Sequence, residues 1–291
     1  MSGKIPERIG LVPNPGKPKA LELANEVAFK LKKLGIEYII DEQVEKSLKN
    51  LDCKFLARDR MADLVDMIIV FGGDGTYLHT ARSIPTKEIP ILGINLGRLG
   101  FLTEIEIHEL DWALQQLAEG NYKIAERIMV DGRVIRNNTE CYATVGLNDM
   151  TITNAGKVAM VELEVYIDDE FVNSYPADGL IICTPTGSTA YSLSAGGPIV
   201  DPFSKTLIIT PICPHTLYSR SIVISADEEI KVVIRSNSPD CVMTIDGQEN
   251  FKLKKNDEIV MHRADNIVKS VKLPEHTFYK ILRNRMRVDR V

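Results

Sequence analysis

The sequence lacks the features that mark a membrane or a secreted protein. No stretch approaches the roughly 18 apolar residues that a membrane-spanning helix needs. The opening segment, MSGKIPER, contains no apolar signal region. These absences predict a cytoplasmic protein that does not act on a membrane.

Paired cysteines and an excess of positive charge are also missing. The five cysteines are dispersed and include no Cys-x-x-Cys pair, which argues against a disulfide framework or a zinc site and is typical of thiols in a reducing cytoplasm. A net charge of −5 argues against a nucleic-acid partner. The length of 291 residues, with 44% apolar and 26% charged residues, is typical of a globular protein of one large or two ordinary domains.

The most informative pattern that is present lies at residues 65–82. The apolar run 67–71 predicts a strand buried on both faces. Gly72-Gly73-Asp74-Gly75-Thr76 follows, with Thr76 as the predicted N-cap of a helix that continues through residues 78–81. Glycines and a helix N-terminus favour phosphate. An acid at such a place suits a divalent cation or the proton of a hydroxyl group.

This turn differs from the two commoner glycine loops. A P-loop requires Lys after its last glycine, where this sequence has Thr76. The dinucleotide fingerprint requires a third glycine where this sequence has Leu78. The alternative is a tight turn in which Asp74 only caps the helix. The buried strand before the turn favours a functional site.

The first 125 residues show the alternation typical of a parallel α/β domain. Strands are predicted at 8–12, 36–40 and 89–94, and amphipathic helices around 21–31 and 110–117, ended by Gly35 and Gly120. The loop 93–103, with two glycines and Arg98, follows a strand at the edge where open α/β sheets bind ligands. An ordinary loop with an exposed Arg is an equal alternative for this segment.

After residue 125 the helical spacing nearly disappears and short β-branched segments replace it, which predicts an all-β domain over 126–272. Residues 273–291 form a basic tail that we expect to pack back on the first domain or on a neighbour. The predicted strands are 158–167, 180–183, 207–212, 221–225, 230–235, 241–245, 258–262 and 267–272.

In the β-rich half, Ser and Thr side chains are concentrated in the segment 184–194, directly after the apolar strand 180–183. Its hydroxyl groups suit phosphates or a ribose, and Tyr191 offers a ring that stacks on a base. The alternative is a Ser/Thr-rich connection whose hydroxyls bond their own backbone. Asn148-Asp149 matches an adenine edge or ribose hydroxyls, or else a turn, and Asp246-Gly247 is typical of a hairpin turn.

Together these motifs resemble the NAD kinases. The turn 72–76, the loop 93–103, Asn148-Asp149 and the segment 178–198 occur in the order and spacing of that family, across nearly the whole chain. The glycine–aspartate turn alone is less specific. It also resembles diacylglycerol and sphingosine kinases and, more loosely, 6-phosphofructokinases.

The resemblance implies a Rossmann-like parallel α/β domain followed by a β-sandwich-like domain, in a homodimer or homotetramer. It implies phosphorylation of the 2′-hydroxyl of the adenosine ribose of NAD by ATP, with a divalent metal, expected to be Mg²⁺, and with Asp74 as proton acceptor. A lipid kinase or a non-catalytic nucleotide-binding sensor is the alternative. No metal ligand is assigned. The residues implied to bind the nucleotides are Gly72, Gly73, Gly75, Thr76, His79, Asn148, Asp149, Asp178, Thr186, Thr189, Ala190, Tyr191, Ser192, Leu193, Ser194 and Gln248.

Overall fold

The computed structural model describes residues 3–48, 51, 53–84, 87–97, 99–154, 160–216, 219–236 and 240–286. The chain separates into two compact units. The first contains the residues up to Glu126 and those from Val268 onward, and the second is Arg127–Ile267. The structure thus groups residues 268–272 with the first unit, whereas the sequence-based division assigned them to the second. Within the described ranges, no helix is long and apolar enough to cross a membrane.

The first unit is built on a parallel sheet. Its elements up to residue 118 are β1 (Arg8–Pro13), α1 (Pro18–Lys33), β2 (Glu37–Asp41), a 3₁₀ helix (Glu42–Ser47), β3 (Lys54–Leu56), α2 (Arg58–Ala62), β4 (Met67–Gly72), α3 (Asp74–Ser83), β5 (Ile91–Asn95), β6 (Ile105–Glu106), a second 3₁₀ helix (Ile107–Glu109) and α4 (Leu110–Ala118).

The strand order in this sheet is β3-β2-β1-β4-β5, and every one of these pairs is parallel. Strand β6 pairs with β5 in parallel as well. All six residues of β4 are buried, as the continuous apolar run predicts for a strand covered on both faces. The apolar stripe of α1 is also buried, and Gly35, with φ of +73°, follows its end.

The carboxyl ends of β1, β4 and β5 lie side by side because these neighbouring strands are parallel. The backbone N–H of Asn14 donates to the carbonyl of Phe71 at 2.9 Å, and that of Leu96 donates to the carbonyl of Gly72 at 3.0 Å. The segments that follow β1, β4 and β5 therefore lie together at one edge of the sheet. This is the edge at which open α/β sheets bind ligands.

The second unit consists of antiparallel strands. Its elements begin within β7 (Lys123–Arg136) and end within β18 (Glu258–Lys272), since the first four residues of β7 and the last five of β18 belong to the first unit. Between them lie β8 (Thr139–Gly146), β9 (Asp149–Asn154), β10 (Val161–Ile167), β11 (Glu170–Ala177), β12 (Gly179–Cys183), a 3₁₀ helix (Thr186–Thr189), α5 (Tyr191–Ser194), β13 (Thr206–Ile212), β14 (Ile222–Ser225), β15 (Ile230–Ile234), β16 (Cys241–Ile245) and β17 (Glu249–Lys252). Helix α6 (Phe278–Met286) follows in the first unit.

Two layers of strands enclose the core of this unit. One sheet has the order β14-β13-β12-β9-β16-β17, and the other layer contains the run β11-β10-β15-β18 and the pair β7-β8. Side chains of both layers form one buried cluster, which includes Leu163 on β10 and Leu180 on β12. The predicted α/β domain followed by a sandwich-like β domain is confirmed.

Two strand predictions in this half are corrected. The segments 258–262 and 267–272 form one continuous strand, β18. Strands β7, β8, β9, β11 and β17 were not predicted. In β8, the sequence TECYATVG is largely exposed and therefore lacks an apolar alternation.

Candidate active site

The glycine–aspartate turn connects β4 to α3, and the N-cap of this helix lies three residues earlier than the sequence predicts. The carbonyl of Gly73 accepts the N–H groups of Thr76 at 3.0 Å and Tyr77 at 3.2 Å, so that Asp74 is the first helical residue and Gly73 is the N-cap. The prediction of Thr76 as N-cap is therefore wrong. Its hydroxyl oxygen instead accepts a hydrogen bond from the side-chain amide of Asn14 at 2.9 Å.

Asp74 is held by four hydrogen bonds from the segment 101–103. Its Oδ2 accepts the N–H of Phe101 at 2.9 Å. Its Oδ1 accepts the N–H of Leu102 at 3.2 Å and both the N–H and the hydroxyl group of Thr103, at 3.0 and 2.9 Å. The carboxylate therefore has a fixed orientation at the helix N-terminus, where the helix dipole favours negative charge.

Close approach of side chains to the backbone explains two of the glycines around this carboxylate. A Cβ on Gly100 would lie 1.9 Å from Oδ1 of Asp74, and a Cβ on Gly72 would lie 2.2 Å from the hydroxyl oxygen of Thr76. The loop 93–103 thus contributes to the site through its backbone. Arg98, the side chain that the sequence singled out in this loop, lies outside the described residues.

His79 lies one turn into α3, on the face of Gly75. Its Nδ1 is 2.5 Å from Nη1 of Arg58, whose Nε donates to Asp41 at 2.6 Å. Burial, followed by the charges of Arg58 and Arg82, lowers the pKa of His79, while Asp41 opposes this shift. The imidazole is therefore neutral at neutral pH.

In the second unit, a hairpin turn organises the Asn148-Asp149 pair. The carboxylate of Asp246 accepts three consecutive backbone N–H groups, from Leu147 at 3.0 Å, Asn148 at 2.7 Å and Asp149 at 3.1 Å. Asp246 and Gly247 have φ of +49° and +65°, the pattern of a hairpin turn that the Asp-Gly sequence predicts. The turn thus also fixes the backbone that presents Asn148 and Asp149.

Asp149 is almost fully buried, and its hydroxyl neighbour Thr151 lies at 3.3 Å. Burial and, second, the negative charge of Asp246 raise the pKa of Asp149 to about 7. Both aspartates line a cavity of about 390 Å³. The other residues at its wall are Asn148, Thr151, Thr153, Ala190, Tyr191, Thr244 and Gly247.

The structure gives different environments to the hydroxyl groups of the segment 184–194. Thr184 donates to the carbonyl of Leu147 at 2.6 Å, and Ser188 donates to that of Pro185 at 2.7 Å. Ser192 is fully buried and lies 3.0 Å from the hydroxyl of Thr210. These three groups bond their own surroundings in the structure. Tyr191 is different, since its ring is 46% exposed at the cavity wall.

The remaining residues that the sequence predicts for the site in this unit differ in burial and in their distance from the Asn148-Asp149 turn. Gly187 approaches Asn148 so closely that a Cβ would lie 2.1 Å from its carbonyl oxygen, which joins the segment 184–194 to the Asn148-Asp149 turn. Asp178 is exposed and precedes β12, whereas the hydroxyl segment follows that strand. Thr186 is buried and accepts from Arg127 at 3.2 Å, Thr189 is half-buried, and Leu193, Ser194 and Gln248 are exposed.

Sequence reasoning missed several residues that hold the site together. The sequence does not single out Asn14, Thr103 or Arg58, and it indicates Asp246 as part of a hairpin turn and as one of several acids at strand ends, without its bonds to residues 147–149. Asn14 lies in a Pro-Asn-Pro-Gly break directly after a strand. This local pattern could have indicated a residue at the ligand-binding edge of the sheet. The contacts of Arg58 and Thr103 have no local signal, because their partners are 21 and 29 residues away.

Comparison with known proteins supports this two-unit arrangement. The yeast NADH kinase solved in complex with NADH has a TM-score of 0.89 at 24% identity, covering 98% of this chain and 89% of that one. The NAD kinase from Archaeoglobus fulgidus solved in complex with ATP has a TM-score of 0.73 at 23% identity, covering 95% and 96%. At these identities the likeness shows the fold.

Sequence relatives are more similar. The NAD kinase of Carboxydothermus hydrogenoformans is 45% identical over 229 residues, which are 79% of this chain and 82% of that protein. The NAD kinase of Heliobacterium modesticaldum is 42% identical over 282 residues, 97% of this chain and 99% of that protein.

The family models that match both parts of the chain, together with the sequence relatives, define the class of this protein as a kinase. Residues 9–122 match the family model for the ATP-NAD kinase N-terminal domain, and residues 147–273 match the model for the C-terminal domain. The chain belongs to the NAD kinase family. This membership confirms the predicted family and favours it over the lipid kinase alternative.

Proposed function

We propose that this enzyme transfers the γ-phosphoryl group of ATP to the 2′-hydroxyl group of the adenosine ribose of NAD and so forms NADP. The observation that carries this proposal is the carboxylate of Asp74. It lies between a buried strand and a helix N-terminus, and four donors from residues 101–103 fix its orientation. Membership of the NAD kinase family supports the choice of substrates.

We assign Asp74 the role of proton acceptor. A carboxylate is too weak a base to deprotonate an alcohol in advance. Phosphoryl transfer depends mainly on positioning and charge stabilisation, and the proton leaves as the bond to phosphorus forms. Asp74 therefore orients the attacking hydroxyl group by accepting its hydrogen bond and takes the proton late. The four bonds from residues 101–103 keep the carboxylate in place for this step.

The first turn of α3 is assigned to phosphate groups. The N-terminus of this helix carries the positive end of the helix dipole. Gly73 and Gly75 flank Asp74, and a Cβ on Gly73 would meet no atom within 4 Å, so that the backbone is open to a ligand here. Thr76 belongs to the same turn but is tied to Asn14.

A divalent metal, in our proposal Mg²⁺, fits this donor set. Mg²⁺ commonly binds one or two carboxylates together with substrate phosphates. Asp74 offers such a carboxylate, and its Oδ2 accepts a single backbone N–H, from Phe101. When bound, the metal neutralises the charge that develops on the transferred phosphoryl group.

The adenosine of NAD is assigned to the cavity of the second unit. Its wall provides the amide of Asn148, the carboxyl group of Asp149 and the exposed ring of Tyr191. An amide and a carboxyl group can form hydrogen bonds to the edge of a base or to the hydroxyl groups of a ribose, and an aromatic ring can stack on a base. Because the pKa of Asp149 is about 7, its carboxyl group is available as a donor and as an acceptor near neutral pH.

The proposal includes a homo-oligomer, either a dimer or a tetramer. Membership of the NAD kinase family supports it. Native mass spectrometry of the purified protein determines the number of subunits.

We also propose a cytoplasmic location. All five cysteines of the chain are free thiols in the structure. Free thiols are typical of a reducing compartment. Fractionation of cells that produce the protein, followed by immunodetection, tests this assignment.

The function is tested by incubating the purified protein with ATP, Mg²⁺ and NAD and measuring NADP with an NADP-specific dehydrogenase. We expect NADP from the wild-type protein. We expect a loss of kcat of at least about 100-fold in Asp74→Asn, because an amide does not accept the proton. Absence of NADP with the wild-type protein would refute the proposed activity. An Asp74→Asn variant as fast as wild type would remove the assigned role of Asp74.

A further inference from the structure

A buried ion pair lies beside α3 and is not used by the chemistry assigned above. Arg58 begins α2, and its Nε donates to Oδ2 of Asp41, the last residue of β2, at 2.6 Å. The two side chains are only 8% and 1% exposed. Oδ1 of Asp41 accepts the N–H of Gln43 at 3.1 Å, and Nη2 of Arg58 donates to Oε1 of Gln43 at 3.3 Å. Both charges are therefore hydrogen-bonded within the protein.

The third bond of this guanidinium group determines the state of His79. Nη1 of Arg58 is 2.5 Å from Nδ1 of His79. A guanidinium group carries donors only, so Nδ1 must be the acceptor. A neutral imidazole that accepts at Nδ1 carries its proton on Nε2. Among the residues that the structure describes, Nε2 has no hydrogen-bond partner.

Burial and two neighbouring cations keep this ring neutral. Burial is the larger cause of its lowered pKa, and Arg58 on α2 and Arg82 on α3 act in the same direction. Asp41 acts in the opposite direction but is already paired with Arg58. Glu42 and Asp59 are the other acids at the wall of the cavity of about 200 Å³ that these residues enclose with His79.

His79 also lies close to the turn that we assign to phosphate. It is the fourth residue after Gly75 on α3 and therefore shares its face, about one helical turn or about 6 Å further along the axis. Its exposed side chain projects from the first two turns of the helix. His79 therefore lies within about one helical turn of the residues that we assign to phosphate.

We propose that Asp41 and Arg58 are positioning residues that hold His79 as the neutral tautomer with its proton on Nε2, and that this N–H donates to a phosphate oxygen of the bound nucleotide. The tautomer stands on the geometry alone, whereas the phosphate contact rests on the proposed function. A neutral donor fixes the direction of the contact without adding a charge that varies with pH.

The tautomer is tested without any assay of activity. In protein with ¹⁵N-labelled histidine, long-range ¹H–¹⁵N spectra distinguish a protonated from an unprotonated ring nitrogen, and the His79→Gln variant assigns the signals. We expect His79 to show only the Nε2–H form at about pH 8 and to be less protonated than an exposed histidine at about pH 6, because burial and its two neighbouring cations lower its pKa. A His79 that is protonated at about pH 8, or that carries its proton on Nδ1, would overturn the proposal.

The phosphate contact is tested by kinetics. Arg58→Gln alone leaves Asp41 charged and buried, which is strongly destabilising. The double variant Asp41→Asn with Arg58→Gln removes both charges and is the working variant. We expect the KM for NAD or for ATP, whichever phosphate His79 contacts, to rise about fivefold with kcat unchanged within about twofold. The exposed Arg60→Gln, on the same helix, is the matched control and leaves both constants unchanged.

A cycle with His79→Ala separates positioning from a general structural effect. If Asp41 and Arg58 act through His79, the double variant raises KM no further once His79 is alanine. An equal rise in that background, or no rise in either KM, would overturn the assigned role. Failure of the wild-type protein to make NADP would refute the proposed function, while the expected tautomer would still be observed.

Discussion

The backbone N–H of Asp149 donates to Oδ1 of Asp246 at 3.1 Å, and the negative charge of Asp246 acts in turn on the carboxyl group of Asp149. One acid thus fixes the backbone of another and makes its ionisation harder. Burial is the larger cause of the raised pKa of Asp149, which is about 7. A functional carboxyl group that titrates near neutral pH has consequences for stability and for binding.

The first prediction concerns stability as a function of pH. The pKa of Asp149 is about 7 in the folded state, above the value of about 3.9 for an exposed Asp in an unfolded chain. Between these values the folded state holds the proton and the unfolded state releases it, so rising pH favours unfolding. The destabilisation is complete above the folded-state pKa. We expect Asp149→Asn to gain in Tm relative to wild type by roughly 5 °C between about pH 5 and about pH 8, measured by scanning calorimetry.

The exposed Asp240→Asn provides the control for this measurement, since it removes the same charge from the surface of the same unit. Its difference in Tm from wild type is expected to stay constant over the same pH range. A constant difference for Asp149→Asn as well would contradict the assigned pKa.

The second prediction concerns Asp246 as the residue that holds the Asn148-Asp149 turn. Asn tolerates the positive φ of this position, so Asp246→Asn keeps the hairpin. Its single carbonyl oxygen replaces a carboxylate that accepts three N–H groups. We expect the KM for NAD to rise about tenfold, with kcat within about threefold of wild type, because hydrogen bonds to a charged group are lost.

Asp169→Asn is the matched control, since Asp169 also has a positive φ in a hairpin turn and is exposed. Steady-state kinetics with NAD as the varied substrate compare the two variants. An equal KM for Asp246→Asn and Asp169→Asn would show that the three bonds do not position the nucleotide site.

The third prediction tests the hydroxyl group that bonds the proton acceptor. Thr103 is fully buried and donates to Oδ1 of Asp74 at 2.9 Å. Thr103→Val removes this bond, retains the shape of the side chain and leaves the backbone donors in place. We expect kcat for NADP formation to fall about tenfold, the value of one hydrogen bond to a carboxylate. Thr103→Ser is expected to recover most of the rate, and a Ser variant as slow as Val would attribute the loss to packing.

The fourth prediction concerns the close approach of the loop 93–103 to Asp74. A methyl group at Gly100 would lie 1.9 Å from Oδ1 of Asp74 and 2.5 Å from the hydroxyl oxygen of Thr103. Gly100→Ala must therefore displace the carboxylate, and we expect kcat to fall by about 100-fold, as for a displacement of about 1 Å at a reacting group. Gly97→Ala, in the same loop, meets no atom within 4 Å and is the control. Comparable rates for the two variants would show that the position of Asp74 is not critical.

Much of the fold was predictable because its signals are local. The buried strand β4, the stripe of α1 and the glycine that follows α4 are each visible within a few residues of sequence. Strands such as β8 escaped prediction, because mostly exposed residues give no apolar alternation. The N-cap at Gly73 instead of Thr76 was missed because glycine has no side chain that could cap the helix.

The alternatives that the sequence left open for the hydroxyl segment are now specified residue by residue. Thr184, Ser188 and Ser192 bond their own surroundings, whereas the ring of Tyr191 stands at the cavity. Composition does not distinguish a hydroxyl group that bonds its own surroundings from one that is available to a ligand, because the difference depends on which neighbour the folded chain places beside it. The assignment of these residues to the nucleotide stays a prediction.

By itself, the sequence determined that an acid stands between a buried strand and a helix, since glycine spacing and apolar runs encode that turn locally. Only the tertiary structure decided the partners of that acid and of its counterpart in the second unit. The donors to Asp74 come from 27 to 29 residues away, and those to Asp246 from 97 to 99 residues away. Contacts over such distances follow from strand order and register, which bring together residues that no local pattern connects.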